Sequence, residues 1–273
     1  MRIGIFDSGI GGVSVLHEAV SLLPEEEYIF YADVDHVPYG VKTSEQVKEY
    51  VDEIVSQLIS MEVDAVVIAC NTATSVAANH VRAKYDIPIL GMEPAVKPAV
   101  EAASESVSEN SRVLVMATPI TIRENKLHTL LEKVDTQHRV DLLSMPGFVR
   151  MAEAEQFDGE EVDGYIEEQM AVLNKDLYTE VVLGCTHFNY FKPALKKFFG
   201  ESVELIDGNL GTVRHMAKVL GLELQESDNT AKNKNFDYEN VHYFESGRLV
   251  TEQEKLDKFR RLHARLEEVH DIR

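Results

Sequence analysis

The sequence predicts an α/β fold of two related domains, each a mainly parallel sheet flanked by helices, with the candidate active site in the cleft between them. Three observations support this. Short apolar segments alternate with helical segments along the 273 residues. Two of the apolar segments end in the only two cysteines, in matching contexts. The two half-chains that carry these cysteines repeat one order of elements, which favours two similar sheets.

In the first half, short apolar segments predict strands at 2–6, 28–32, 66–70 and 87–91. Helical spacing predicts helices at 13–22, 44–60, 73–84 and 98–109. The clearest apolar stripe lies on the second of these helices and consists of Val47, Val51, Ile54, Leu58 and Ile59. Strands that alternate with helices in this way require a parallel sheet with right-handed crossovers.

The second half repeats the arrangement, with strands predicted at 112–116, 140–144, 181–184 and 203–206. Its helices are predicted at 160–175, 193–199 and 209–220. The tail is predicted as a polar break, an edge strand and a charged helix, at 228–235, 242–246 and 252–268. We therefore predict a first domain of residues 1–96 plus about 208–273, on the Cys70 side, and a second of residues 97–207, on the Cys185 side.

Composition excludes several classes of partner. The formal net charge of −20 argues against general binding of nucleic acid or of an anionic membrane. No apolar run approaches the ~20 residues of a membrane span. The N-terminus enters a strand pattern at once, so we expect no signal peptide and a cytoplasmic protein. With two cysteines and no Cys-x-x-Cys, a structural metal site is not expected.

The two cysteines occupy the same place in the same local pattern. Residues 66–74 read Val-Val-Ile-Ala-Cys-Asn-Thr-Ala-Thr, and residues 181–189 read Val-Val-Leu-Gly-Cys-Thr-His-Phe-Asn. Each is a buried strand that stops at short polar residues, and open α/β sheets bind ligands at that edge. Each cysteine could be an inert buried thiol, or the two could form a disulfide. The repeated context favours a third interpretation, a pair of reactive thiols that face each other across a cleft.

Two thiols on opposite walls of a cleft suit the transfer of a proton between the two faces of a carbon. A thiol titrates near pH 8.5, and the helix after each strand is expected to lower that pKa. Asp7, Glu153 and His187 are candidates for holding the proton states in place. Asp7 and Ser8 follow the first strand and precede a Gly-rich turn, where they either cap a helix or belong to the site.

Five segments together resemble the glutamate racemases, the cofactor-independent aspartate/glutamate racemase family. They read Phe-Asp-Ser-Gly-Ile-Gly-Gly at 6–12, Pro-Tyr-Gly at 38–40, Ala-Cys-Asn-Thr-Ala at 69–73, Ala-Thr-Pro-Ile-Thr at 117–121 and Gly-Cys-Thr-His at 184–187. The resemblance implies racemisation of L- and D-glutamate without a cofactor or metal. It implies catalytic Cys70, for the D-enantiomer, and Cys185, for the L-enantiomer.

The resemblance also implies the residues that contact the substrate. They are Asp7, Ser8, Pro38, Tyr39, Gly40, Asn71, Thr72, Thr118, Thr121, Thr186 and His187. It further implies a homodimer that supplies D-glutamate for peptidoglycan. Glu153 aligns with a family glutamate, whereas Met145 and Arg150 depart from the family pattern. An aspartate or hydantoin racemase and a non-catalytic two-domain ligand-binding protein remain as alternatives.

Overall fold

The computed structural model describes residues 1–105, 111–225 and 238–273. Its first sheet has six strands in the order β10-β9-β2-β1-β3-β4. They are β1 (Arg2–Asp7), β2 (Glu27–Ala32), β3 (Ala65–Ile68), β4 (Ile89–Gly91), β9 (Val241–Glu245) and β10 (Arg248–Leu249). All pairings in this sheet are parallel except that of β9 with β10.

The second sheet has four strands, all parallel, in the order β6-β5-β7-β8. They are β5 (Arg112–Ala117), β6 (Val140–Ser144), β7 (Tyr178–Leu183) and β8 (Glu204–Ile206). The order β2-β1-β3-β4 in the first sheet and β6-β5-β7-β8 in the second are the same pattern. The predicted repeat of mainly parallel α/β units is therefore confirmed.

Helices connect the strands. In the first half they are α1 (Val13–Leu22), α2 (Ser44–Ser60), α3 (Asn71–Lys84) and α4 (Val96–Glu105). In the second half they are α5 (Pro119–Arg123), α6 (Asn125–Val134), α7 (Pro146–Glu153), α8 (Glu160–Met170), α9 (Lys192–Phe199), α10 (Asn209–Leu220) and α11 (Gln253–Val269). Single turns of 3-10 helix cover Ile10–Gly12, Tyr39–Val41, Lys175–Leu177 and Tyr238–Asn240, and a longer one covers Thr186–Phe191.

The second helix shows how the sequence specifies an element. Thr43 and Gln46 form a reciprocal capping box at its start, which satisfies backbone N–H groups that have no helical partner. Four of its five predicted core residues are buried, and Ile59 packs against the same cluster while partly exposed. The helix α7 was not predicted, although Pro146 at its first position is a common start.

In both sheets the candidate site residues lie where the strand order changes direction. In the first sheet β1 and β3 are neighbours, and their connections leave toward opposite edges. The strands β5 and β7 stand in the same relation in the second sheet. A crevice forms at the carboxyl ends of such strands, because the loops that follow them diverge. Asp7 is the last residue of β1 and Cys70 follows β3, while Thr118 follows β5 and Cys185 follows β7.

The tail differs from its prediction in one respect. The strand β9 lies inside the first sheet, between β2 and the short β10, so it is not the edge strand that the sequence predicted. The predicted polar break at 228–235 and the end of the helix predicted at 98–109 lie outside the described residues. The domain boundaries near residues 96 and 208 stay a prediction. No described helix is both long and apolar enough to span a membrane.

Helix α11 is held to α1 by a buried polar chain. His263 Nδ1 lies 3.2 Å from His17 Nδ1, and His263 Nε2 lies 3.0 Å from the Tyr243 hydroxyl. His17 Nε2 lies 3.2 Å from Glu267 Oε2. Burial, and then the neighbouring His17, lower the pKa of His263 well below 6.5. The folded protein therefore keeps His263 neutral.

We expect the free energy of unfolding to fall with pH below about 6.5 because of His263. The His263 side chain takes up a proton near pH 6.5 in the unfolded chain, but only at much lower pH in the folded chain. Its contribution to the free energy of unfolding is therefore present above pH 6.5 and is lost as the pH falls below that value. The slope is about 1.4 kcal/mol per pH unit for one proton. Urea unfolding across this range measures it. A His263→Phe variant should show a shallower slope, and equal slopes would contradict the assignment.

Candidate active site

Asp7 joins the two sheets at the base of the cleft. The Ser8 N–H donates to Asp7 Oδ1 at 2.6 Å, and the Thr186 hydroxyl donates to Asp7 Oδ2 at 2.7 Å. Asp7 is fully buried, and a buried carboxylate is retained only where donors satisfy it. Thr186 follows Cys185 in the second sheet, so this hydrogen bond ties one cysteine-bearing edge to the other.

Cys70 lies at the start of α3. The Ala73 N–H donates to Cys70 Sγ at 3.4 Å, and the Ser8 hydroxyl lies 3.8 Å from the same sulfur. Burial raises the pKa of Cys70 well above its usual range, and the Asp7 carboxylate adds to that rise. The N–H of Ala73 lowers this pKa by less. The expectation that the helix would lower the pKa of this thiol is therefore wrong, because desolvation outweighs the helix N-terminus.

Cys185 has a different partner. Its Sγ lies 3.7 Å from His187 Nδ1, and His187 Nε2 lies 2.8 Å from Glu153 Oε1. The Ile10 N–H also donates to Glu153 Oε1, at 2.8 Å, which anchors α7 to the Gly-rich turn of the first sheet. The segment after Cys185 is a 3-10 helix, and no backbone N–H of that helix donates to the Cys185 side chain. Its electrostatic partner is thus a histidine and not a helix N-terminus.

The His187–Glu153 pair is ionic. Burial opposes the charged form of His187, but hydrogen bonds to Cys185 and Glu153 outweigh burial and raise its pKa well above 6.5. Burial likewise raises the pKa of Glu153, and the hydrogen bond from His187 reverses this and leaves it lowered. The imidazolium therefore stands between a carboxylate and the Cys185 sulfur.

Three predicted substrate contacts form a hydroxyl cluster. Thr118 Oγ1 lies 2.9 Å from both Thr72 Oγ1 and Thr121 Oγ1, and the latter two lie 3.1 Å apart. Thr72 comes from α3 beside Cys70, and Thr118 and Thr121 come from the start of α5. Hydroxyl groups can donate and accept, so this cluster can reorient to bind a carboxylate.

The loop 38–40 closes one side of the cluster. A Cβ on Gly40 would lie 2.9 Å from Thr118 Cβ, so only glycine allows this approach. The Tyr39 hydroxyl donates to Asp33 Oδ2 at 2.6 Å. Tyr39 therefore holds the loop, whereas Pro38 lies half-buried beside it. Asp33 was not identified from the sequence, because a single carboxylate after a strand looks the same whether it holds a loop or lies on the surface.

Asn71 has a buried side chain without a partner. Neither its Oδ1 nor its Nδ2 has a hydrogen-bond partner, and the residue is 3% exposed. An unpaired buried amide costs about 1–3 kcal/mol per group, so such a group is usually matched by a ligand. Asn71 lies next to Cys70 in sequence, at the first position of α3. It is therefore a free donor and acceptor beside a thiol.

Within the residues that the structure describes, no cluster of histidine, cysteine and carboxylate groups could hold a metal ion. A cavity of about 680 Å³ is lined by residues of α1, α10, β8 and the end of α11. It contains none of the predicted substrate contacts. Arg150, which departs from the family pattern, is exposed on α7 and Met145 is fully buried.

We expect Gly11→Ala to reduce kcat/KM by about 10²-fold or more, since a displaced catalytic group commonly costs that much. A Cβ there would overlap His187 Nδ1 and lie 2.6 Å from Thr186 Oγ1, which pushes the segment after Cys185 away. The matched control is Gly164→Ala in α8, where a Cβ meets nothing within 4 Å. That variant should keep full activity and gain about 0.4–1 kcal/mol of stability. Equal activity in both variants would contradict the packing of the Gly-rich turn against His187.

Comparison with known proteins identifies the family. The family model for Asp/Glu/Hydantoin racemase matches residues 13–216. A glutamate racemase of Lachnospira eligens is 45% identical over 272 residues, 100% of both chains. The solved glutamate racemase of Campylobacter jejuni has a TM-score of 0.75 at 26% identity and covers 96% of this chain and 97% of its own. That of Escherichia coli, solved with L-glutamate and the activator UDP-MurNAc-Ala, has a TM-score of 0.73 at 30% identity and covers 82% and 84%. This chain therefore belongs to the Asp/Glu/Hydantoin racemase family.

Proposed function

We propose that this protein is a glutamate racemase that moves the α-proton between two thiols, Cys70 and Cys185, without a cofactor. One observation carries the proposal: both thiols follow strands at a switch in strand order, and the Asp7–Thr186 hydrogen bond ties the two edges together. The curated relative at 45% identity and both solved neighbours are named glutamate racemases, which supports glutamate as the substrate.

The different partners of the thiols suit their two tasks. The His187 imidazolium lies beside Cys185 and would stabilise a thiolate there, ready to accept a proton. Cys70 lies beside the Asp7 carboxylate and is held as a thiol, ready to donate one. In this arrangement L-glutamate loses its α-proton to Cys185 and Cys70 protonates the opposite face. The reverse reaction requires the proton states to exchange, and coupled groups such as these titrate as one system.

Neutral groups would bind the substrate carboxylates. The candidates are the hydroxyls of Ser8, Thr72, Thr118, Thr121 and Thr186, the amide of Asn71, and backbone N–H groups of the loop 38–40. Hydroxyls and helix N-termini bind anions without a full positive charge. No lysine or arginine occurs in the five matched segments. Within these segments His187 is the only side chain that can carry a positive charge.

The wider role follows from the family. We infer that the D-glutamate is used for peptidoglycan, that the enzyme acts in the cytoplasm, and that it is a homodimer. Aspartate and hydantoin remain alternative substrates, because the matched family model covers all three substrate classes. A non-catalytic ligand-binding protein would bind glutamate but would leave its α-proton in place. The homodimer is tested by measurement of the mass in solution, and the activity and its substrate are tested by the isotope experiment below.

We expect L-glutamate incubated with the enzyme in heavy water to give D-glutamate that carries deuterium at the α-carbon from the earliest times. The thiol that protonates the product has equilibrated with solvent, whereas the other keeps the removed protium. Unreacted L-glutamate should stay mostly protiated. Proton NMR and circular dichroism measure the two effects, and aspartate run in parallel should turn over more slowly.

Cys70→Ala and Cys185→Ala are the matched variants for this experiment. Each should abolish racemisation in both directions, because one of the two acid–base partners is gone. The fold should survive, since removal of a buried sulfur leaves a small cavity that costs on the order of 1 kcal/mol. Racemisation by either folded variant, or protium carried into early product, would contradict the two-thiol mechanism. Faster turnover of aspartate would contradict the substrate only.

We expect Asn71→Ala to raise KM for glutamate by about tenfold or more without loss of stability, because it removes two buried polar atoms that have no partner in the free protein. Initial rates over a range of glutamate concentrations measure KM, and thermal unfolding measures the stability. The control is Asn174→Ala, where the amide is already bonded to the Asp176 N–H on the surface. That variant should lose some stability and keep the wild-type KM. An unchanged KM in Asn71→Ala would exclude the amide from substrate binding.

A further inference from the structure

The turn between β9 and β10, near the far end of the chain, binds residues 32–35, which lead into the loop 38–40. The turn has two residues, Ser246 with φ of +42° and Gly247 with φ of +81°, as in a tight hairpin. The Ser246 N–H donates to the carbonyl of Ala32 at 2.8 Å, so the turn sits on the carboxyl end of β2. This is the edge at which the loop begins.

The side chain of Ser246 makes two further bonds at that edge. Its hydroxyl donates to Asp33 Oδ1 at 3.0 Å and accepts from the Asp35 N–H at 3.0 Å. A hydroxyl has one proton and two lone pairs, so this arrangement assigns its proton to the carboxylate. Asp33 is 2% exposed and therefore depends on such donors.

Two more donors reach the same carboxylate, one from Tyr39 in the loop and one from His36 just before it. The Tyr39 hydroxyl lies 2.6 Å from Asp33 Oδ2, and His36 Nδ1 lies 2.9 Å from both oxygens. Hydrogen bonds to a carboxylate are stronger than those between neutral groups. Asp33 thus acts as a buried hub, with Ser246 on one side and the loop on the other.

The position of the loop is narrowly defined where it meets the second sheet. Gly40 approaches Thr118 so closely that a Cβ would lie 2.9 Å from Thr118 Cβ. Tyr39, its neighbour, is 1% exposed, and its hydroxyl donates to Asp33. A shift of Tyr39 would therefore carry the loop backbone against, or away from, the hydroxyl cluster that we assign to the substrate.

We propose that Ser246 is a positioning residue for glutamate binding, which acts through Asp33 and Tyr39 to hold the loop 38–40 at the hydroxyl cluster. The proposal rests on the proposed function, since it assumes that this loop contacts glutamate. No side chain of the loop gives or takes the α-proton in the proposed reaction. We therefore expect its contacts with glutamate to be the same before and during proton transfer, and loss of such uniform binding raises KM and leaves kcat unchanged.

The test is Ser246→Gly. Glycine adopts positive φ more readily than serine, so the turn keeps its conformation and only the hydroxyl is lost. We expect KM for L- and D-glutamate to rise about three- to tenfold with kcat within about twofold, as part of one charge-assisted hydrogen bond is lost. The matched control is Arg248→Ala, which removes an exposed bidentate pair with Asp35 from the same hairpin and leaves Asp33 untouched. It should keep the wild-type KM.

A Tyr39→Phe variant, and a double variant that combines it with Ser246→Gly, test whether Ser246 acts through Tyr39. If Ser246 acts through Asp33 and Tyr39, the double variant should have a KM close to that of the worse single variant, because the steps are in series. Multiplied effects, or a wild-type KM in Ser246→Gly, would overturn the proposal. Ser246→Ala serves as the second variant if glycine loosens the turn.

Calorimetric titration with D-glutamate, with Cys185→Ala present in both proteins, measures the same effect without turnover. A wild-type protein that binds glutamate but does not racemise it would contradict the proposed function alone, since the affinity ratio between Ser246→Gly and wild type would still test Ser246. Equal affinity in the two proteins would overturn the positioning role, whatever the catalytic result.

Discussion

The hydrogen bond from Thr186 to Asp7 is the interaction on which the site depends. It joins the residue after Cys185 in one sheet to the residue that ends β1 in the other. Because Asp7 is fully buried, its carboxylate needs this donor and the Ser8 N–H. Breaking the contact would leave a buried charge uncompensated, which is far more costly than the loss of an exposed hydrogen bond. The two thiol-bearing edges are thereby held at one separation.

The two thiols share a fold environment but not an electrostatic one. Cys70 faces an anion and a helix N-terminus, and burial keeps it protonated. Cys185 faces the His187 imidazolium, which Glu153 and the Ile10 N–H hold from behind. A reaction between mirror-image compounds does not require identical bases, because the protein itself is chiral. What it requires is one proton acceptor and one donor on opposite faces, with a way to exchange their states.

Several contacts at the site join residues that are distant in sequence. Ile10 binds Glu153, and Ser246 binds Asp33 from the C-terminal hairpin. The sequence predicted the strands, the repeat and the matching surroundings of the two cysteines. The spacing of apolar residues and the polar residues at strand ends are local signals, so they can be found in the sequence. It did not predict α7 or Asp33, and it placed β9 at an edge. Those features depend on which surfaces are covered by other parts of the chain.

By itself the sequence determined the α/β class, the two matching half-chains and the strand-end positions of Cys70 and Cys185. These follow from hydrophobic pattern and from residue types next to one another. Only the tertiary structure decided the proton states, since desolvation and distant charges set them. The local expectation of a helix-lowered pKa at Cys70 was wrong for that reason. Likewise, only packing could show that His187 lies between Cys185 and Glu153, because a buried ion pair depends on through-space distance and not on spacing along the chain.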